Sequence, residues 1–209
     1  MLHLGALTPE AKALWPRLSE VSDGYYLAGG TALALQLNHR QSLDFDFFAK
    51  KHIPRTQLAK VERVFRGHRI IPSINNRDEL TVLVDGVKFS FISYPFPVLM
   101  PFVKKQGIDL LSAREIAATK AYTIGRRGEW KDYVDLYACL IRKTTTLSEV
   151  MKNAQKKYGD GFNDRLLLEQ LAYFEDIDDV QGLKVKTPIT REKAHSYFKK
   201  AIADLRLAK

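Results

Sequence analysis

Apolar and polar positions along this chain follow two rhythms, and the change from one to the other divides it. In the first half the apolar runs are short and have period two. Leu43 to Phe48 (LDFDFF) alternates apolar and acidic residues. Val87 to Tyr94 (VKFSFISY) puts Val87, Phe89 and Phe91 on one face and Lys88, Ser90 and Ile92 on the other. Both read as strands, with aromatic side chains packed on one side. Further strands are predicted at 25–28, near 68–74 and at 79–84, the last joined to 87–94 through the hairpin signal Asp85-Gly86. Helices are predicted at 9–20, interrupted by Pro16, at Thr31–Asn38 after the break of Gly29-Gly30, and from Pro54 to near Arg66.

From Ser112 onward the period is that of a helix. Ser112-x-x-Glu115 is a capping box opening a helix to near Gly125. Its apolar stripe runs Ala113, Ile116, Ala117, Lys120, Ala121, Ile124. More helices are predicted at 130–142, 147–158, 163–174 and 190–207, the last capped by Thr190. Strands and helices without regular βαβ alternation predict an α+β fold, a mixed sheet with flanking helices followed by a helical lobe. The lobes divide into 1–105 and 106–209.

Composition narrows the class. The chain has 209 residues, 45% hydrophobic and 11% aromatic, enough for a real core and unlike a disordered chain. The net charge of +9 favours a polyanionic partner such as RNA, DNA or nucleotide. From Lys184 onward there are eight basic and two acidic residues, so much of that charge gathers in the tail. The single cysteine, Cys139, excludes an intrachain disulfide and, within the run YVDLYACLI, reads as a small core residue. No apolar stretch reaches membrane-spanning length and no signal peptide is apparent, so a soluble cytoplasmic protein is expected.

The candidate chemistry lies in LAGGTALALQLNHRQSLDFDFFAK, residues 27–50. Asp44 and Asp46, one residue apart on a strand, share a face and can hold one Mg²⁺, which prefers oxygen ligands and is commonly bound together with substrate phosphates. Gly29 and Gly30 let the backbone approach a ligand closely, and the amides opening the helix at Thr31 can donate to phosphate oxygens. The Thr31 hydroxyl adds a donor. Arg40 in the following loop can hold phosphates, and Ser42 shares the face of Asp44 if the strand extends that far. Lys120, inside an apolar stripe, must snorkel or find an anionic partner. A triphosphate is one such partner. Asp135 lies in a run apolar almost all round, where a carboxylate is costly unless paired, and Asp132 is one turn earlier on the same side. A buried Lys–Asp pair bracing two helices is the structural alternative.

Together these pieces resemble the nucleotidyltransferase superfamily of the DNA-polymerase-beta type, whose signature is a Gly-Gly or Gly-Ser turn followed by an acidic-x-acidic strand. LAGGTALALQLNHRQSLDFDFF is similar to the AbiEii/AbiGii nucleotidyltransferase toxins, and REIAATKAYTIGRRGEWKDYVDLYAC resembles that family's second block, a Lys, then Arg, then Asp-x-x-Asp-Leu. The resemblance implies a catalytic α/β lobe completed by a helical lobe, NTP as co-substrate and Mg²⁺ as metal. It implies the toxin of a bacterial toxin–antitoxin pair, with a cognate antitoxin and a tRNA 3′ end as acceptor. Carried onto this sequence, Asp44 and Asp46 hold metal with Ser42 beside them, and Gly30 and Thr31 cradle phosphate. Lys120 binds triphosphate, and Asp135 is the base or orients it. Many enzymes of this fold carry a third carboxylate on a later strand, where VKFSFISY offers Ser90 or Ser93. Two other readings therefore remain: an enzyme of this fold acting on a small molecule or protein, and a non-catalytic nucleotide-binding or interaction module.

Overall fold

The structure, a computed structural model, describes residues 2–174, 177, 183–186 and 189–207. It divides into two compact units, Met1–Pro97 with Pro101–Ser112, and Val98–Met100 with Ala113–Lys209.

The first unit holds a seven-stranded mixed sheet, β1 Tyr26–Ala28, β2 Phe45–Ala49, β3 Ile70–Asn75, β4 Glu79–Val84, β5 Val87–Ser93, β6 Val103–Lys105 and β7 Ile108–Leu110. The strand order is β3-β4-β5-β2-β1-β7-β6. β2 runs parallel to β5 and β1 parallel to β7, while the other neighbours are antiparallel. Helices α1 Pro9–Leu14, α2 Leu18–Val21, α3 Gly29–Leu37 and α4 Gln57–Val64 accompany it. A 3₁₀ turn at Trp15–Arg17 separates α1 from α2, where Pro16 cannot donate an amide to a continuous helix.

The aromatic alternation decides how the sheet is built. Register pairs Phe45 with Phe89 and Phe47 with Phe91 across β2 and β5. The four rings form one buried ladder, Phe47 lying over Phe91 at 5.1 Å between centroids. Because side chains alternate, the same register brings Asp46 beside Ser90 on the opposite face. The β4–β5 turn has Asp85 and Gly86 both at positive φ, the backbone that a two-residue hairpin requires.

Two expectations need correcting. The acidic strand begins at Phe45, so Asp44 lies in the extended segment just before it. Ser42 makes an isolated bridge to Leu7 instead of extending β2. The hairpin of β6 and β7, unforeseen in the sequence, turns through Gln106 and Gly107, both at positive φ. At the far edge, β3 is mostly exposed, carries Pro72, and shifts register between Pro72 and Ile74.

Tyr25 marks a weak point in this core. Its hydroxyl is buried and, among the described residues, has no hydrogen-bond partner. Burial pushes the phenol up to about 12. The ring meets Phe91 edge-on at 5.2 Å, a contact that phenylalanine would keep. Tyr25→Phe is therefore expected to stabilise the protein by about 1 kcal/mol, since it removes a desolvated hydroxyl and no bond. A denaturation midpoint below wild type would contradict this.

The second unit is helical, with α5 Ala113–Arg127, α6 Trp130–Ile141, α7 Leu147–Tyr158, α8 Asp164–Ala172 and α9 Arg191–Leu207. Thr146 and Glu149 form a capping box at the start of α7, and Asn163 caps α8 through Leu166 N. Tyr133, Phe174 and Phe198 form the aromatic centre, with Tyr133 and Phe174 at 4.9 Å. Lys157 and Glu115, both almost wholly buried, pair at 2.7 Å. The second Glu115 oxygen accepts the amide of Leu99 at 3.0 Å, which ties the short Val98–Met100 segment to the helices.

Candidate active site

The sheet unit builds its polar centre at the turn from β1 into α3. Gly29 takes φ +64°, and a Cβ placed on it would lie 2.5 Å from Asp46 Oδ2. The bare α-carbon is thus the surface against which the Asp46 carboxylate rests. Antiparallel pairing of Ala28 with Asp46 puts them side by side. Gly30 follows within the first turn of α3. That helix has Ala28 at its N-cap and no side-chain cap, and first-turn amides of a helix can donate to an anion.

A hydroxyl relay fixes the segment that carries Asp44. The Thr31 hydroxyl donates to the Asp44 carbonyl. Ser42 is therefore the donor in the 2.7 Å contact between Ser42 Oγ and Thr31 Oγ1. Arg40 Nη1 donates to Gln41 O at 3.0 Å and to Ser42 Oγ at 3.5 Å. Thr31, Arg40 and Ser42 are all buried. Their side chains brace the loop, and of these three residues Thr31 also brings a backbone amide from the open helix end. Asp44 and Asp46 themselves are half-buried. Lys88 Nζ stands 3.2 Å from Asp44 Oδ2.

Gly29→Ala tests the geometry. A Cβ at this φ costs about 1–2 kcal/mol and must also displace the Asp46 carboxylate. The expected outcome is a modestly lower melting temperature with a disproportionate loss of divalent-ion binding, read by calorimetry. Unaltered binding would separate Asp46 from the role given to it here.

In the helical unit, Lys120 answers the question its position posed. Its ammonium lies 2.7 Å from Asp132 Oδ1 and 2.7 Å from Asp135 Oδ2, with side chains 9%, 2% and 0% exposed. Asp132 Oδ2 also accepts the Glu129 amide at 3.3 Å, at the start of α6. The cluster joins α5 to α6. One turn beyond Asp135, burial and then the Asp135 charge push the Cys139 thiol up, which disfavours the thiolate.

Alternation puts Lys88 on the polar face with Ser90, but only the parallel pairing of β5 with β2 brings that face to the acids. Asp132, one turn before Asp135, is a full member of the buried cluster. Among the described residues no group of three acidic, His or Cys side chains is placed to hold a metal. Asp44 and Asp46 nonetheless fit a hard divalent ion as a two-carboxylate donor set, of the kind that leaves the remaining positions to water and phosphate.

Comparison with known proteins agrees with the fold. MenT4, a nucleotidyltransferase toxin of Mycobacterium tuberculosis, superposes with a TM-score of 0.60 at 18% identity, covering 95% of this chain and 86% of that one. JHP933 from Helicobacter pylori superposes at 0.56 with 16% identity, over 97% and 99% of the two chains. An uncharacterised protein of Aquifex aeolicus is 35% identical over 158 residues, 75% of this chain and 76% of that one. The family model described as the nucleotidyl transferase AbiEii toxin of type IV toxin–antitoxin systems matches residues 52–207. The Gly29 turn and the acidic strand precede that stretch, which takes in β3 to β7 and the helical unit. The chain belongs to the AbiEii nucleotidyltransferase toxin family.

Proposed function

We propose that this protein transfers a nucleoside monophosphate from an NTP to a hydroxyl at an RNA 3′ end, that of tRNA, as the toxin of a bacterial toxin–antitoxin pair. The observation that carries the reading is Asp46 against the bare Gly29 at the N-terminus of α3, with Asp44 two residues before it. The acceptor oxygen forms a bond to the α-phosphorus, the α–β bridging bond breaks, and pyrophosphate leaves. The hydroxyl proton passes to a carboxylate, and the family resemblance gives Asp135 that part, as base or as the group that orients it. Lys120 takes the triphosphate on the same ground.

Asp44 and Asp46 would hold Mg²⁺, which when bound supplies positive charge to the phosphates and polarises the phosphorus under attack. This chain's own contribution is positioning. The Thr31–Ser42 relay holds the backbone of Asp44, Gly29 leaves room for Asp46, and the amides of α3 face incoming phosphate. The +9 charge and the basic tail suit a polyanionic acceptor. Among the described residues no helix is long and apolar enough to cross a membrane. We place the reaction in the cytoplasm, with its nucleotide and RNA substrates and its antitoxin.

Incubation with each α-labelled NTP, Mg²⁺ and total RNA is expected to label a tRNA-sized band, absent with Asp44→Ala. Blank lanes for both proteins would overturn the reading. A second reading draws on the two-acid count, because the strand that the family resemblance assigns to a third acid offers Ser90 or Ser93. It is a module that binds nucleotide without turnover, and the same assay run beside nucleotide-binding calorimetry separates it. Labelling of a small molecule or a protein, with RNA unlabelled, would shift the acceptor and keep the transfer chemistry.

A further inference from the structure

We propose that Lys88 is the resting counter-cation of the acidic pair: it competes with the divalent ion for Asp44 and passes to the triphosphate when nucleotide arrives. The inference rests on the phosphoryl-transfer reading above and deepens it.

Register alone places the group. Phe45 pairs with Phe89 in the parallel β2–β5 ladder, so the preceding residues, Asp44 and Lys88, are opposite each other. Their side chains leave the aromatic core on the same face, and Nζ reaches Oδ2 at 3.2 Å. Ser90, next along that face, is buried and lies 3.4 Å from the Thr81 hydroxyl, which donates to Glu79 Oε1 at 2.7 Å. The acidic pair thus has an ammonium close by on the neighbouring strand.

Two physical consequences follow. The side chains are 44% and 41% exposed, so water screens the pair and it exchanges readily. Lys88 can hold Asp44 in place without being a permanent plug. A divalent ion bound to Asp44 would in turn lie within a few ångströms of the ammonium, and the two cations repel. Metal alone is thus disfavoured. Metal arriving with a nucleotide is a different case, because the triphosphate brings anionic oxygens that accept the displaced ammonium. Lys88 so couples metal binding to nucleotide binding.

The test measures Mn²⁺ binding by electron paramagnetic resonance on the full chain, for wild type, Lys88→Ala and Lys88→Arg. Each is measured alone and with an NTP analogue that cannot be cleaved between the α- and β-phosphates. Without nucleotide, Lys88→Ala is expected to bind Mn²⁺ about tenfold more tightly than wild type. Lys88→Arg, which keeps the charge, should stay within about threefold of wild type. The analogue should narrow or reverse the gap between wild type and Lys88→Ala. Thermal melts confirm that the surface substitutions leave the fold intact. Equal Mn²⁺ affinity for wild type and Lys88→Ala overturns the Lys88 role and leaves the acidic pair as a metal site. A gap that nucleotide does not diminish overturns the transfer to phosphate. Absence of Mn²⁺ binding in every protein, with or without analogue, overturns this proposal together with the metal reading beneath it.

Discussion

Lys120→Ala is expected to lower stability by about 3–5 kcal/mol, the loss seen when one partner of a buried ion pair is removed. The cause is what it would leave behind. Asp132 and Asp135 are 2% and 0% exposed, and both carboxylates face the one ammonium at 2.7 Å. Without it, two like charges stay in a low-dielectric interior where Coulomb repulsion is strong. Urea unfolding of the two proteins gives the difference directly. Adding Asp132→Asn and Asp135→Asn to Lys120→Met should recover much of the loss, because the strain is uncompensated charge and not missing volume. A Lys120→Ala deficit under about 1 kcal/mol would show that the cluster opens to water. Activity lost in Lys120→Ala must therefore be read beside its melting curve.

Asp44→Ala and Asp46→Ala are expected to do the reverse, removing activity with little effect on stability. Both side chains are half-buried and leave the aromatic ladder untouched, so stability should change by no more than about 1 kcal/mol. Transfer should fall about 10³-fold or more in kcat, the scale of losing a principal electrostatic stabiliser of the transition state. Single-turnover labelling of RNA, at protein concentrations where both variants are fully folded, checks this. A loss confined to KM would mean that the carboxylates only help nucleotide to bind. The Lys120 and acidic-pair variants thus separate a loss that begins in the fold from one confined to the chemistry.

Much of this was legible in the sequence for local reasons. Alternation in LDFDFF and VKFSFISY predicts aromatic side chains packed on one side, and each of Phe45, Phe47, Phe89 and Phe91 is buried. The interruption at Pro16 and the Asp85-Gly86 turn follow from single-residue chemistry, and the helix from Leu147 to Tyr158 from the helical period. Lys120 stood out because an ammonium interrupts an apolar stripe, and it does find carboxylates. What stayed hidden was pairing between distant segments. Alternation tells which face a residue takes and says nothing of which strand lies alongside, so the contact between Lys88 and Asp44 was invisible. The β6–β7 hairpin was missed because each strand has only three residues, and Lys104 and Lys105 read as loop. Also invisible were the local partners of Thr31 and Arg40: the Thr31 hydroxyl donates to Asp44 O, and Arg40 Nη1 to Gln41 O and Ser42 Oγ.

The two rims of the sheet carry a last consequence. One rim is β3, where Pro72 withholds an amide and the register slips one residue later. The other is β6, three residues long with two exposed lysines. Neither offers the long flat row of unpaired amides and carbonyls that recruits a strand from another molecule. Concentrated solutions of the folded protein should accordingly resist cross-strand aggregation, because neither end of the ladder gives a second chain a place to start.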